Sequence, residues 1–379
     1  MINVLIDGCL YGWQAHGGIK RCFDELIQRI AENETDIRFT IVLPERIRSV
    51  PPKGPNIRHV MNWRQGVAGV VQRLINQRRV GRLEFPIFHS TYYTLPFQAG
   101  MRSVATVHDF IHERYAGAMK NGHMRPDRKI EVLRQADRVV AVSEQTKCDA
   151  VQYAGIPEER IRTIYHGVAH EPVPREQAGE KIRAFKQKHG LSRDYWLYVG
   201  RRELYKNFDV LLNAWAGCRD LNREMDLVTI GPAANLEFRQ FAHLVKYGLE
   251  ERIHVIDDCD DADLSAAYAG AAGLVYPSLC EGFGIPLLEA MSAGCPVVAS
   301  NIPVFKEVAQ DSALFFDPHC EEQLVQAMRQ VMDPAIRKCL AEKGKTRISH
   351  FSWENGAREL AGIYRAVATM STIRNNSEH

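Results

Sequence analysis

Two glutamates, Glu281 and Glu289, are separated by seven residues, and a pair of glycines follows the first of them. An apolar run of strand length lies on each side, which predicts the order strand, glycine loop, short helix, strand. Pro286 suits the first helical position and Gly294 the residue just past the helix end. Glycines let backbone N–H groups approach a ligand at the positive end of a helix. Two carboxylates beside such donors suit a polyhydroxylated ligand, such as a sugar and a ribose.

A basic loop follows another strand candidate, residues 195–199, and precedes a helix candidate. Its Arg201 offers a planar fork of donors, and its Lys206 offers a compact ammonium. Together they could neutralise a diphosphate leaving group, whose negative charge grows as its bond to a sugar breaks. The alternative for an isolated motif of this kind is a solvated basic loop.

The first half of the chain offers two further candidates at strand ends. After the strand 4–6 a loop ends at Gly17 and Gly18 ahead of a helix, which suits a phosphate or a closely approaching substrate. A flexible turn is the alternative, and the loop lacks the G-x-G-x-x-G dinucleotide fingerprint. His108 stands at the carboxyl end of the strand 103–107, which favours a function, although a lone histidine is commonly structural.

In this order and spacing, these segments resemble the retaining glycosyltransferases of family 4, whose E-x7-E motif matches Glu281 to Glu289. The resemblance covers most of the chain. It also includes residues 7–18, 107–109, 198–201, 206–207 and 351–354. It implies a GT-B fold of the α/β class, in which two Rossmann-like domains with parallel sheets face each other across a cleft.

The resemblance also implies a role for each candidate residue. Glu289 is expected to bond the nucleotide ribose and Glu281 to hold the donor sugar, while the basic loop stabilises the departing nucleoside diphosphate. His108 is expected to lie beside the reacting sugar. The expected catalytic residues are thus His108, Arg201, Lys206 and Glu281. The expected donor-binding residues are Gly17, Gly18, Gly231, Phe283, Gly284, Ile285 and Glu289, with residues 283–285 acting through their backbone N–H groups.

No cofactor and no metal ligand are expected, because the nucleotide sugar is a substrate. One segment argues otherwise: the run Asp257 to Asp263 contains D-x-D twice, and such carboxylates can hold a divalent cation. The run also precedes a helix candidate at 264–269, so Asp261 or Asp263 would be a natural N-cap. Capping is the favoured interpretation.

Alternating strand and helix patterns predict mostly parallel sheets covered by helices. We expect an acceptor-side domain at 1–168, a nucleotide-sugar donor domain at 169–355, and a C-terminal helix at 356–379 that crosses back to the first domain. The strand candidates of the first domain are 3–7, 38–43, 57–61, 86–89, 103–108, 138–142 and 161–165.

Composition is ordinary for a globular protein, with 45% hydrophobic and 25% charged residues among 379. The start lacks a signal-peptide pattern, and no apolar run approaches the length of a membrane-spanning helix. Nine scattered cysteines indicate reduced thiols in a cytoplasmic protein. No nucleic-acid-binding motif is recognisable, which disfavours that class of partner.

Charge is distributed unevenly along the chain. Residues 1–170 carry a formal charge of +7 and residues 171–379 one of −5. The basic half fits an anionic partner, such as a lipid diphosphate or a membrane surface, and a chance imbalance explains it equally well. The arginines from Arg64 to Arg82 could lie on a basic amphipathic helix at a membrane or on an ordinary helix docked on the sheet.

Together these features predict a retaining hexosyltransferase. It would move a sugar of glucose or mannose type from a UDP- or GDP-sugar to a saccharide or polyprenyl-diphosphate-linked acceptor, in bacterial surface polysaccharide synthesis. Peripheral contact with the inner face of the plasma membrane belongs to this prediction. The alternatives are a sugar-nucleotide 2-epimerase and a non-catalytic sugar-nucleotide-binding protein.

Overall fold

A computed structural model describes residues 1–13, 17–61, 87–96, 101–115, 126–168, 175–202, 204–232, 236–257 and 259–370. The chain divides into two compact units. The first comprises Met1–Phe110, Gly122–Gly167 and Ser352–His379, and the second comprises Ile111–Asn121 and Val168–Phe351. Each unit is built around one parallel sheet. The predicted α/β class with two Rossmann-like domains is therefore confirmed.

The first unit holds a seven-stranded parallel sheet in the order β3-β2-β1-β4-β5-β6-β7. Its strands are β1 Ile2–Ile6, β2 Ile37–Leu43, β3 Ile57–Met61, β4 Ile87–Ser90, β5 Arg102–Val107, β6 Arg138–Ala141 and β7 Ile161–Thr163. Its helices are Leu10–Trp13, Gly18–Asn33, Pro126–Gln135, Glu144–Ala154 and Trp353–Thr369, with a 3-10 turn at Glu158–Arg160. The predicted strands agree with these bounds to within two residues, because strands buried on both faces appear as short, nearly continuous apolar runs.

The last helix, Trp353–Thr369, packs in the core of the first unit. Its buried Tyr364 and Leu360 share that core with residues of the helix Gly18–Asn33. A Cβ at Gly356 would lie 3.2 Å from a methyl carbon of Leu26, so glycine allows the two helices to approach closely.

The second unit holds a six-stranded parallel sheet in the order β10-β9-β8-β11-β12-β13. Its strands are β8 Asp194–Val199, β9 Met225–Ile230, β10 Ile253–Ile256, β11 Gly273–Tyr276, β12 Val297–Ser300 and β13 Ala313–Phe316. Its helices are Ile111–Arg114, Arg175–Lys188, Phe208–Gly217, Arg219–Asn222, Phe238–Tyr247, Asp261–Gly270, Ile285–Ser292, Pro303–Ala309, Glu321–Met332 and Pro334–Arg347. Three 3-10 turns lie at Leu204–Lys206, Gln310–Ser312 and Ile348–His350.

In both sheets the strand order reverses once, between β1 and β4 and between β8 and β11. Open parallel sheets bind ligands at the carboxyl ends of the strands at such a reversal. The fold therefore indicates one candidate position in each unit. Among the helices in the described parts of the chain, none combines the length and the apolar character needed to cross a bilayer.

Candidate active site

In the second unit, two loops meet at the carboxyl ends of the paired strands β8 and β11. The basic loop after β8 ends in the 3-10 turn Leu204–Lys206, and the loop after β11 leads to Glu281. The N–H of Leu279 donates a hydrogen bond to the carbonyl of Tyr205 at 2.8 Å, which joins the two loops directly. Residues that are some seventy positions apart in the chain thus lie side by side.

Lys206 and Glu281 form an ion pair at this point. Lys206 Nζ donates to Glu281 Oε1 at 2.6 Å, and Ser278 Oγ donates to the same oxygen at 2.7 Å. The Tyr276 hydroxyl lies 3.2 Å from Nζ. The side chains of Lys206 and Glu281 are only 13% and 10% exposed, so each charge is compensated mainly by the other. Lys206 and Glu281, both predicted to be catalytic, are therefore held together as one ion pair.

Tyr276 keeps its proton in this arrangement. Burial raises the pKa of its hydroxyl well above the ordinary value, and the neighbouring Glu281 carboxylate raises it further. Neutral Tyr276 therefore lines the ion pair without adding charge to it.

Glu289 lies on the helix Ile285–Ser292 and is buried. The Tyr268 hydroxyl donates to Glu289 Oε2 at 2.9 Å, and burial, then the Glu289 carboxylate, raises the pKa of Tyr268 well above its usual range. The helix begins directly after Gly284, whose φ of +104° favours glycine. Gly294 follows its end as predicted, whereas Pro286 is the second helical residue and not the first. The missing N–H of proline is tolerated at both positions, because neither N–H has a partner within the helix.

The Phe283 ring belongs to the core of the second unit. It is 4% exposed and meets the Phe351 ring edge to face, with the centroids 5.8 Å apart. Its side chain therefore serves packing. The donor-binding role predicted for Phe283, Gly284 and Ile285 concerns only their backbone N–H groups, and it stays a prediction.

Gly231 supports the basic loop from the neighbouring strand. A Cβ there would lie 2.5 Å from the carbonyl oxygen of Gly200, so only glycine allows the β9 loop to approach the β8 loop this closely. Arg201, next in the basic loop, is exposed, and its carbonyl accepts a hydrogen bond from Tyr198 at 2.5 Å. Arg202, for which no role was predicted, donates to the Thr229 hydroxyl at 3.2 Å.

In the first unit, a buried carboxylate marks the reversal between β1 and β4. Asp7 follows β1 and accepts hydrogen bonds from the residues after β4: the Thr91 N–H at 3.0 Å, and the hydroxyls of Thr91 and Thr94. Burial raises the pKa of Asp7. Asp7 lies within the family resemblance, which implied no role for it. An aspartate directly after a buried strand was the available signal.

His108 follows β5 and contacts the same segment. Its Nε2 lies 3.2 Å from the Thr91 carbonyl, and its backbone N–H donates to the Tyr93 hydroxyl at 3.3 Å. Burial lowers the pKa of His108 to about 4, against an opposing effect of Asp109. The ring is therefore neutral near pH 7. Because a carbonyl can only accept, Nε2 carries the proton and Nδ1 carries the lone pair.

Gly17 occupies the N-cap position of the helix Gly18–Asn33, and both glycines are exposed. The helix has no acidic residue in its first turn, so its positive end is not compensated there by a carboxylate of its own. Residues 14–16 lie outside the described part of the chain.

The aspartate run is a helix cap, as predicted, but the capping residue differs. Asp260 caps the helix Asp261–Gly270 by accepting the Asp263 N–H at 2.8 Å, and the sequence had indicated Asp261 or Asp263. Asp263 pairs instead with Lys188. Within the described residues, no three His, Cys, Asp or Glu side chains come together as metal ligands, and Asp258 lies outside this set.

Two family models match the chain. Residues 180–347 match the glycosyl transferases group 1, and residues 16–172 match glycosyltransferase family 4. Over 287 residues the chain is 30% identical to O-antigen chain mannosyltransferase B of Escherichia coli, which covers 74% of each protein. The chain therefore belongs to the group 1, family 4 glycosyltransferases, and the predictions of this family and of a hexosyltransferase are confirmed.

Other relatives agree with this assignment. The chain is 28% identical over 369 residues to the serotype-specific mannosyltransferase WbdA of Escherichia coli, which covers 94% of the chain but only 44% of that longer protein. The fold of this chain matches that of sucrose-phosphate synthase from Thermosynechococcus elongatus with a TM-score of 0.78 at 19% identity, covering 98% of this chain and 100% of the other. It also matches Anabaena HepE, solved in complex with UDP and glucose, with a TM-score of 0.75 at 16% identity, covering 97% and 100%.

Proposed function

We propose that this protein transfers a hexosyl group from a UDP- or GDP-sugar to a saccharide or polyprenyl-diphosphate-linked acceptor, with retention of the anomeric configuration. The observation that carries the proposal is the Lys206–Glu281 pair, which lies beside the helix of Glu289 at the β8/β11 reversal. The named mannosyltransferase relatives support mannose as the sugar and a surface polysaccharide as the product. The likeness to a protein solved with UDP and glucose supports a nucleotide-activated donor.

The second unit would hold the donor. Glu289 would accept hydrogen bonds from the ribose hydroxyls, in place of or beside the Tyr268 hydroxyl that it binds in the structure. Glu281 would accept hydrogen bonds from hydroxyls of the donor sugar, and the N–H groups at 283–285 would donate hydrogen bonds to it. Carboxylates and backbone donors together discriminate hydroxyl patterns well, because an unpaired buried polar group is costly.

Arg201 and Lys206 would stabilise the leaving group. When the bond from the anomeric carbon to the diphosphate oxygen breaks, the electron pair stays on that oxygen and negative charge develops there. Lys206 Nζ already neutralises Glu281 in a poorly solvated position. An incoming diphosphate must therefore either share Lys206 with Glu281 or displace Glu281 from it. The ion pair would thus keep the ammonium in place until the diphosphate arrives, which limits reorganisation during the reaction.

His108 would bind the reacting sugar or the acceptor hydroxyl. Its neutral ring offers the Nδ1 lone pair to a sugar O–H while Nε2–H stays on the Thr91 carbonyl. Retention would follow a front-side route, in which a leaving phosphate oxygen takes the proton from the acceptor hydroxyl as the new bond forms on the same face. Such a route requires no protein nucleophile.

We also propose that the acceptor is lipid-linked and that the enzyme meets it at an anionic membrane. The support is the charge of +7 on residues 1–170. The arginines between Arg64 and Arg82 lie outside the described residues. Attraction of this kind is screened within about 8 Å at physiological ionic strength. Binding to anionic liposomes should therefore fall steeply as salt rises, and a wild type that ignores such vesicles at low salt would favour a soluble acceptor.

A panel of nucleotide sugars tests the transfer reaction. Release of UDP or GDP should depend on one donor and rise when acceptor oligosaccharide is added, and NMR of the product should show the donor's anomeric configuration. Glu289→Ala should abolish turnover, whereas Glu342→Ala, on an exposed helix surface, should not. An epimerised sugar nucleotide formed without acceptor would identify a 2-epimerase. Tight donor binding without turnover on any acceptor would identify a non-catalytic binding protein.

A further inference from the structure

Asp7 is a buried carboxylate, 5% exposed, to which the proposed function gives no role. Its hydrogen bonds come mainly from the end of β4 and the segment after it. Besides the Thr91 and Thr94 donors, the hydroxyl of Ser90, the last residue of β4, lies 3.5 Å from Oδ2. A single carboxylate thus contacts three residues of the segment 90–94.

That segment is held in an unfavourable backbone conformation. Tyr93 has a φ of +57°, which a bulky side chain rarely adopts without support. Such conformations persist where surrounding contacts determine them, and they concentrate at functional sites. The Tyr93 hydroxyl accepts the backbone N–H of His108, so the strained residue also contacts the predicted catalytic histidine.

Thr91 connects Asp7 to the His108 ring. Its N–H donates to Asp7 Oδ2 at 3.0 Å, its hydroxyl donates to Asp7 Oδ1, and its carbonyl accepts from His108 Nε2 at 3.2 Å. The two bonds to Asp7 fix the position of Thr91 and with it the direction of its carbonyl. Because that carbonyl can only accept, its fixed position favours the tautomer with the proton on Nε2. The Phe23 and His108 rings meet edge to face with their centroids 5.9 Å apart, which restricts the orientation of the His108 ring.

We infer that Asp7 is a positioning residue for His108, which acts through Thr91. By fixing the Thr91 carbonyl it holds the ring as the Nε2–H tautomer and presents Nδ1 to a substrate hydroxyl. The inference rests on the proposed role of His108, while its structural content, the tautomer, can be measured without substrate. Asp7 itself touches no reacting atom in this scheme.

Nitrogen-15 NMR of histidine-labelled protein tests the tautomer directly. The His108 signal is identified by its loss in His108→Gln. In the wild type it should show a neutral ring protonated at Nε2. Asp7→Asn places an NH2 donor opposite the Thr91 and Thr94 donors, so Thr91 is no longer held, its carbonyl can move away from Nε2, and the Nδ1–H form should become populated. Asp137→Asn is the matched control: Asp137 is bonded to Arg102 and Ser103 at the amino ends of β5 and β6, and the His108 signal should not change.

Kinetics separate positioning from a purely structural effect. Asp7→Asn should lower kcat at least tenfold in the wild type, but less than threefold in a His108→Gln background, because the residue it positions is already gone. If Asp7→Asn does not fold, Thr91→Val serves instead. It removes the hydroxyl bond to Asp7 and keeps the backbone N–H bond, so residue 91 is held less firmly and the tautomer should shift in the same direction.

An unchanged His108 tautomer in Asp7→Asn overturns the inference. If Asp7→Asn does not fold, an unchanged tautomer in Thr91→Val does so instead. The inference also fails if the losses of kcat from Asp7→Asn and His108→Gln multiply in the double variant. A fully active His108→Gln would instead remove His108 from the proposed function.

Discussion

Replacing Lys206 by methionine is the sharpest test of the candidate site, because the change keeps the length of the side chain and removes only its charge. In the structure Lys206 Nζ lies 2.6 Å from Glu281 Oε1, and both side chains are nearly buried. The substitution therefore leaves a carboxylate with a poorly solvated charge, and it also removes the proposed partner of the leaving diphosphate. It should lower both stability and turnover.

The loss of stability follows from the geometry. At 2.6 Å and an effective dielectric constant of about 20, the gross attraction is about 6 kcal/mol, much of which offsets desolvation. Removing one partner of a buried pair typically costs about 3–5 kcal/mol. We expect the lower end, about 3 kcal/mol, because both side chains keep some exposure and Ser278 still donates to the carboxylate. For a unit of this size that lowers the Tm by about 6–12 °C.

Calorimetry and turnover measure the two effects separately. The transition of the second unit should move to lower temperature, and turnover should fall at least tenfold, which is about 1.4 kcal/mol of barrier. Glu281→Gln combined with Lys206→Met should be more stable than Lys206→Met alone, because no uncompensated charge then remains. Lys338→Met is the matched control: this lysine is 79% exposed and 4.0 Å from Glu342, so its loss should change stability by less than about 0.5 kcal/mol.

Two results would refute the reasoning. A Lys206→Met protein that melts with the wild type would show that the pair adds no stability. Unchanged turnover in the same variant would remove Lys206 from the reaction. A variant that is destabilised but fully active at low temperature would retain the ion pair as a structural feature only.

Three further predictions follow from other parts of the chain. Activity should survive EDTA, because two of the described aspartates of the run 257–263 have other roles: Asp260 caps a helix and Asp263 pairs with Lys188. Loss on chelation that Mg²⁺ restores would contradict this. Gly231→Ala should cost roughly 2 kcal/mol or more in urea unfolding and reduce turnover, since its Cβ would meet a backbone oxygen at 2.5 Å, whereas Gly217→Ala, whose Cβ would enter open space, should be nearly neutral. Burial, and more weakly His108, lowers the pKa of His89 to about 3 from 6.5. Unfolding therefore takes up a proton, and the stability present above pH 6.5 should fall by about 2 kcal/mol from pH 7 to 5 for His89 alone. Urea titrations of the first unit in which His89→Gln leaves this slope unchanged would contradict the assignment.

The sequence predicted most of the elements because each has a local signal. Strands buried on both faces are short apolar runs, and the first unit's strands were placed to within two residues. Gly284 and Gly294 marked the loop and the end of the Glu289 helix, since both have positive φ. The strand β13, Ala313–Phe316, was not predicted, although other strands of equal length were.

Where several residues share one chemistry, sequence alone could not choose among them. Any of the aspartates 257–263 could cap a helix, and only the path of the backbone selects Asp260. Likewise Arg201 and Arg202 are adjacent and identical in type, but the fold leaves the first exposed and directs the second onto Thr229.

The sequence by itself therefore determined the family, the α/β class and the loops that carry the candidate residues, because local patterns and motif spacing encode all three. It did not determine which loops meet. β8 pairs with β11 and β1 pairs with β4, although other strands lie between them in the chain. Strand order depends on how whole sheets bury their apolar faces under right-handed crossovers, and no local pattern records it. Only the tertiary structure could bring Lys206 to Glu281, and Asp7 to Thr91, whose carbonyl accepts from His108.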